Sequence, residues 1–182
     1  MSARQDAGLL RGFGPIAEAD ARLLILGSMP GGASLAAGQY YAHPRNAFWD
    51  VIEAVWGVPR SLPYEARIRA VRDRGIAIWD VVARCHRATS LDADIKHGSV
   101  VANDFAGFLA GHRGIRQIAF NGAGAEALYR RHVLPMLPQP LQQIARTRMP
   151  STSPAHASLA LEAKIRAWKA LRRYADPAGQ GR

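Results

Sequence analysis

The sequence is short of cysteine, of acidic side chains and of long apolar runs. Its single cysteine, Cys85, leaves no partner for an intramolecular disulfide, and too few thiolates for a four-cysteine iron-sulfur cluster or an all-cysteine zinc site. The six histidines, at 43, 86, 97, 112, 132 and 156, stand at no metal-ligand spacing, so neither a metal nor another cofactor is expected. No apolar stretch approaches the roughly 18 residues that span a bilayer. The opening Met-Ser-Ala-Arg-Gln-Asp lacks the charged-then-apolar order of a secretion signal. A cytoplasmic location away from any membrane is expected. Common catalytic signatures are missing too: the glycines fit neither a Walker loop nor a dinucleotide fingerprint, and no Gly-x-Ser-x-Gly elbow offers a hydrolase serine. Acids number 14 against 24 Lys and Arg, which leaves a formal charge of +10.

What is present points to one basic domain. The 182 residues, 48% hydrophobic, suit a single core. They read as one domain over 1–182, with its core at about 20–175 and a short flexible C-terminal tail. Such a charge excess on one domain is the footprint of a nucleic-acid binder.

Apolar runs at 23–26, 76–79 and 117–120, with a weaker one at 142–145, have strand character. Between them Phe48, Trp49, Val51, Ile52, Val55 and Trp56 recur at helical spacing, as do Phe105, Phe108 and Leu109, and later Leu161, Ile165, Trp168 and Leu171. Residues 64–74 read as a basic helix and 123–132 as another. Alternating strands and helices predict an α/β fold, a three-layer α/β/α sandwich around a central four-stranded, mainly parallel sheet.

In such sheets ligands bind beyond the carboxyl ends of the strands. The unusual polar and Gly/Pro-rich segments all fall there. Gly27-Ser28-Met29-Pro30-Gly31-Gly32 follows the first run, Asp80 the second, Asn121-Gly122 the third and Pro150-Ser151-Thr152-Ser153-Pro154-Ala155-His156 the fourth. The long connection over 28–45 carries aromatics among Pro and Gly, which argues for a pocket wall rather than disorder. By pattern alone Asn46 reads as a helix cap, since Pro44 precedes it and the helical period begins at Phe48. Tyr40 and Tyr41 are half-buried aromatics or a face on which a flat base stacks. Asp80 is a helix cap, a partner for Arg84 or Arg87, or a site group by its place at a strand end. Asn121 ends a strand, caps the next helix or reads a ligand. The proline-bracketed hydroxyls of 150–156 form a stiff loop able to grip phosphate oxygens, and equally a rigid lead-in to the last helix. Basic residues cluster at 60–74, 113–116, 146–148 and 164–173. Arg146 and Arg148 are expected to contact phosphate because they abut that loop.

At Gly27-Ser28-Met29-Pro30-Gly31, Tyr40-Tyr41-Ala42-His43-Pro44-Arg45-Asn46-Ala47-Phe48-Trp49 and Pro150-Ser151-Thr152-Ser153-Pro154-Ala155 the chain resembles the uracil-DNA glycosylase superfamily, and within it the hypoxanthine-DNA (deoxyinosine) glycosylases. The resemblance runs over roughly 23–174 and implies the same four-stranded sandwich. It implies a monofunctional DNA N-glycosylase that flips a deaminated base out of the stack, hypoxanthine first, and hydrolyses its glycosidic bond. Mismatch-specific relatives carry a water-positioning Asn where this chain has Met29, which cannot do that work. The hypoxanthine group assigns the task to the Asn of the His-Pro-x-Asn run, here Asn46. Tyr41 then stacks on the base, while Gly27, Ser28, Met29, Pro30, Gly31, Asp80 and Asn121 line its edge. His43, Arg45, Arg146, Arg148, Ser151, Thr152, Ser153 and His156 hold the DNA. Uracil or G:U mismatch excision is the alternative in the same class. A non-catalytic binder of distorted DNA, with Met29 marking a decayed site, is the alternative in another. A monomer is expected, with no obligate protein partner, because a symmetric assembly would have to leave the basic edge clear for a duplex.

Overall fold

The computed structural model describes residues 8–175, so the expected C-terminal tail lies outside the described residues. The runs expected at 23–26, 76–79 and 117–120 form strands, and each extends one residue further, to Gly27, Asp80 and Asn121. In chain order β1 (Leu9–Arg11) precedes β2 (Leu23–Gly27), and α1 (Gly32–Ala37), α2 (Phe48–Trp56) and α3 (Tyr64–Asp73) follow. Next come β3 (Ile76–Asp80), β4 (Val82–His86), β5 (Val101–Ala102) and α4 (Phe105–Gly111). The order closes with β6 (Gln117–Asn121), α5 (Ala123–His132), α6 (Gln139–Gln142), β7 (Ala145–Met149) and α7 (Leu161–Trp168).

The main sheet has the order β3-β2-β6-β7, with every pairing parallel. Leu23 to Leu26 on β2 and Ile76, Ala77 and Ile78 on β3 are wholly buried, because helices cover both faces. Successive strand residues face opposite sides, which sorts the aromatics into two layers. Trp79 and Phe120 meet Phe105, Phe108 and Tyr129 of α4 and α5 on one face. On the other, Phe48 of α2 meets Trp168 of α7 edge-on at 6.2 Å. The same alternation turns Asp80 and Asn121, one residue beyond Trp79 and Phe120, toward the α2–α7 side.

Two expectations need correction. The fourth strand is not 142–145 but Ala145–Met149, and Gln142 ends α6. This edge strand exposes Ala145, Arg146, Thr147 and Arg148 and buries only Met149, so it has no apolar run to announce it. In addition, β1, β4 and β5 form a separate antiparallel sheet. It leaves the carboxyl edge of the main sheet directly, for the Val81 N–H donates to the Gly27 carbonyl at 2.9 Å and the Val82 N–H to that of Ser28 at 3.0 Å. Its strands are two to five residues long and mix Arg and His with apolar positions, which hides their period.

Candidate functional site

The carboxyl ends of β2, β3 and β6 bring Gly27, Asp80 and Asn121 together, as the strand-end argument requires. Gly27 pairs in register with Asp80, and a methyl group on Gly27 would run into Asp80 Oδ1 and stand 3.1 Å from the Tyr41 hydroxyl. Only glycine fits that crossing. Asp80 is 3% exposed, its Oδ2 has no hydrogen-bond partner, and the Tyr41 hydroxyl beside it has none either. No helix follows Asp80, so it caps none, and Arg84 on β4 points to solvent. Burial pushes the Asp80 carboxyl up to about 7; the nearby Asp92 adds to the shift and Arg87 opposes it. Burial also raises the Tyr40 and Tyr41 hydroxyls, with the Asp80 charge as the second cause.

Tyr41 stacks on Phe48, ring centroids 3.7 Å apart and 14° from parallel. Its backbone is left-handed, with φ +57°, and it is the one non-glycine residue so placed among those described. Such a conformation is costly for a bulky side chain and is held by its surroundings. Tyr40 is the buried neighbour: its hydroxyl donates to the Gly14 carbonyl at 3.0 Å, so it braces the core and is not a stacking face.

The first loop is fixed by residues that the sequence reading did not assign to the site. The Ser28 hydroxyl donates to Asp92 Oδ1 at 2.5 Å, and the Gly32 N–H donates to Ser90 Oγ at 2.9 Å. Arg87 is buried and donates to the carbonyls of Met29 (3.4 Å) and Pro30 (2.5 Å). The Gly31 carbonyl accepts from Leu35 N–H at 2.9 Å. The carbonyls of Gly27 to Gly31 are thereby all engaged, and the Met29 side chain is buried in the core. What this loop can still present to a ligand is N–H. The polar run Thr89-Ser90-Leu91-Asp92 was the available signal for this clasp.

Asn46 Oδ1 accepts the Phe48 N–H at 3.0 Å, so from the position before the Ala47 N-cap it satisfies the first helical N–H of α2. His43 Nδ1 likewise accepts from Arg45 N–H at 3.1 Å. The Ala47 N–H donates to the Thr152 carbonyl at 3.0 Å, which ties this turn to the 150–156 loop. Thr152 is 1% exposed and its hydroxyl accepts from Asn121 Nδ2 at 2.8 Å, while its own N–H donates to Asn121 Oδ1 at 2.9 Å. Thr152 is thus a buried strut rather than a phosphate ligand, and both ends of the Asn121 amide are occupied.

A cavity of about 350 Å³ opens between the β6–α5 turn and the 150–156 loop, lined by Gly122, Ala123, Arg148, Met149, Pro150, Ser151 and His156. Gly122, at φ +100°, permits this approach, since a Cβ there would meet Ser151 Cβ at 2.8 Å. The Ser151 and Ser153 hydroxyls accept backbone N–H groups two residues on, at 3.2 and 3.3 Å, and shape the loop. From α7, Trp168 Nε1 donates to the Pro150 carbonyl and Lys164 Nζ to that of His156, both at 3.0 Å. Arg148 reaches this cavity and pairs with Glu126 at 3.3 Å. Arg146 is instead folded back, its Nη1 donating to the carbonyls of Gln142 (2.7 Å) and Ile144 (3.1 Å). Among the residues at 60–74, Arg60 grips Asp50, Arg74 binds the Trp56 carbonyl, and Arg67 lies 4.4 Å over the Trp49 ring, so these cations serve the fold.

Among the described residues no helix is long and apolar enough to cross a membrane, and no group of three or more His, Cys, Asp or Glu could hold a metal ion.

Comparison with known proteins matches residues 13–172 to the uracil DNA glycosylase superfamily. A protein named hypoxanthine DNA glycosylase from Methanosarcina barkeri is 33% identical over 113 residues, 62% of this chain and 70% of that one. One of the same name from Methanosarcina acetivorans is 34% identical over 116 residues, 63% of this chain and 72% of that one. A solution NMR structure of a protein proposed to be a uracil DNA glycosylase, also from Methanosarcina acetivorans, superposes with a TM-score of 0.73 at 28% identity, covering 91% of this chain and 97% of the other. The strand-edge socket and the loops that frame it thus lie within the matched span, and the chain belongs to the uracil DNA glycosylase superfamily.

Proposed function

We propose that this protein hydrolyses the N-glycosidic bond of hypoxanthine flipped out of DNA and leaves an abasic site. The observation that carries the reading is the strand-edge socket, where the Tyr41 ring, backed by Phe48, stands beside the unpartnered carboxyl of Asp80. A flat heterocycle needs a stacking surface and polar partners for its edge, and a mispaired deaminated base costs less to extrude than a paired one. The names of the matched relatives support the same substrate class.

Cleavage through an oxocarbenium-like sugar calls for a placed water and for stabilisation of the departing base more than for a strong nucleophile. Asn46 is the residue for the water. Its carboxamide is anchored by the Phe48 N–H, and the second lone pair of Oδ1 and the amide N–H groups remain to orient a solvent molecule. The carboxamide of Asn46 is no nucleophilic amine and forms no Schiff base at C1′, so with water as the nucleophile the reaction is monofunctional hydrolysis without a lyase step. Arg148, Ser151 and His156 line the adjacent cavity and meet the flanking phosphates, with His43 and Arg45 on the turn that the Ala47 N–H ties to the same loop. The chain acts as one domain, as a monomer, in the cytoplasm on chromosomal DNA.

Single-turnover incubation with duplexes carrying inosine, uracil, xanthine or a thymine mismatch, followed by alkaline cleavage of abasic sites, tests the proposal. Inosine is expected to be cut fastest. Faster cutting at uracil would replace this reading with uracil excision. Salt-dependent binding with no abasic product on any duplex would make the protein a DNA-binding module.

A further inference from the structure

Asp80 presents a cost that the fold alone does not justify. A buried carboxyl oxygen without a partner is destabilising, and native interiors rarely keep one. Here the orphaned Oδ2 lies at a strand end, beside the equally orphaned Tyr41 hydroxyl, in the place where the flipped base belongs. Among the described residues no cation forms an ion pair with it. Arg87, the cation whose charge reaches it, donates Nη1 and Nη2 to the Met29 and Pro30 carbonyls, and its Nε is itself buried without a partner. The charged or titratable groups that influence it are Tyr40 and Tyr41 from the loop before α2, and Arg87 and Asp92 from the segment after β4. Only Arg87 among these favours the carboxylate, and it opposes burial and Asp92.

Resting on the glycosylase reading above, we propose that Asp80 meets the flipped base as a neutral carboxylic acid, its O–H donating to the exocyclic O6 of hypoxanthine while the other oxygen accepts N1–H. The role is catalytic because the charge on that edge changes during the reaction. As the C1′–N9 bond breaks, its electron pair leaves with the base and spreads toward O6, the water oxygen bonds to C1′, and the proton lost by the water balances the one finally gained by the base. A neutral O–H at O6 stabilises the departing anion, whereas a carboxylate in the same place would repel it. Burial that holds the Asp80 proton to about 7 makes the neutral form available near physiological pH.

The pH dependence of single-turnover excision of inosine, with protein in excess, is the test. In the wild type the rate should be level on the acid side and fall about tenfold per pH unit on the alkaline side of the Asp80 ionisation. The Asp80→Asn variant keeps a neutral donor and acceptor that cannot ionise. It should be slower at pH 6 by at most about tenfold, should lack the alkaline fall, and should overtake the wild type at high pH. Asp80→Ala should lose about a hundredfold or more at pH 6. A wild-type profile without an alkaline fall, or the same fall in Asp80→Asn, overturns the proposal; the first needs no variant to fold. No abasic product from the wild type at any pH would overturn the glycosylase reading itself.

Discussion

At Asn46 the carboxamide oxygen already accepts the Phe48 N–H, so a cap and a water-holding group coincide in one side chain. Substitution separates them. Asn46→Ala should cost about 1 kcal/mol of stability through the lost cap and slow excision by about a hundredfold through the misplaced water. Asn46→Ser restores a cap oxygen but is too short to hold the same water. It should regain stability, read as a denaturant midpoint, and remain slow in excision. Full recovery of excision in the Ser variant would reduce Asn46 to a structural residue. Asp80 yields a stability signature of its own. The folded protein keeps its proton to about 7, whereas an ordinary aspartate loses it near 3.8. Its stabilising contribution is therefore complete below the lower value and is eroded as pH rises between the two, by roughly 1.4 kcal/mol per unit. Denaturant midpoints at pH 5 and pH 7 should show that decline in the wild type, and Asp80→Asn should remove this share of it.

Among the elements, α7 does more than cover the sheet. Trp168 and Lys164 on one face of this helix grip the Pro150 and His156 carbonyls, so the helix sets the shape of the loop beside the cavity. Trp168→Phe keeps a large ring in the core but removes the donor to Pro150. It should lower stability by about 1 to 3 kcal/mol and weaken duplex binding several-fold. Excision at saturating protein should be unchanged, because the base socket belongs to β2, β3 and β6. A fall in the saturated rate would show that the loop takes part in the chemistry. The elements also explain what was legible in the sequence. Apolar runs on β2, β3 and β6 located three strand ends, and with them Gly27, Asp80 and Asn121. The edge strand β7 has an exposed, arginine-rich surface and no such run, so its position slipped by three residues. The polar run from Thr89 to Asp92 signals the clasp on the first loop, but what Arg87, Ser90 and Asp92 grip depends on the β1-β4-β5 sheet, whose short mixed strands show no period. The proline-bracketed loop was found, yet which of its hydroxyls point inward is decided by Asn121, a residue 31 positions away.

Across the whole molecule the +10 charge invites the view that every arginine near the edge binds DNA. The structure sorts them by what their guanidinium groups already touch. Arg60, Arg67 and Arg74 are committed to carboxylate, ring and carbonyl partners within the fold. Arg146 and Arg148 sit two residues apart on one strand, yet Arg146 is turned back onto Gln142 and Ile144 while Arg148 lies at the cavity with 59% of its side chain exposed. Its ion pair with Glu126 is a surface pair of small worth that a phosphate can displace. Each phosphate neutralised releases condensed counterions and adds close to one unit to the slope of log affinity against log salt. Arg148→Ala should therefore lower that slope by about 1 and weaken binding in low salt, to inosine-containing and undamaged duplexes alike. Arg146→Ala should leave the slope unchanged and show its effect as reduced stability where α6 meets β7. A titration series over salt concentration for the two variants decides it: equal slopes for Arg148→Ala and wild type would remove Arg148 from the DNA interface, and a reduced slope for Arg146→Ala would mean that its side chain swings out to meet the duplex.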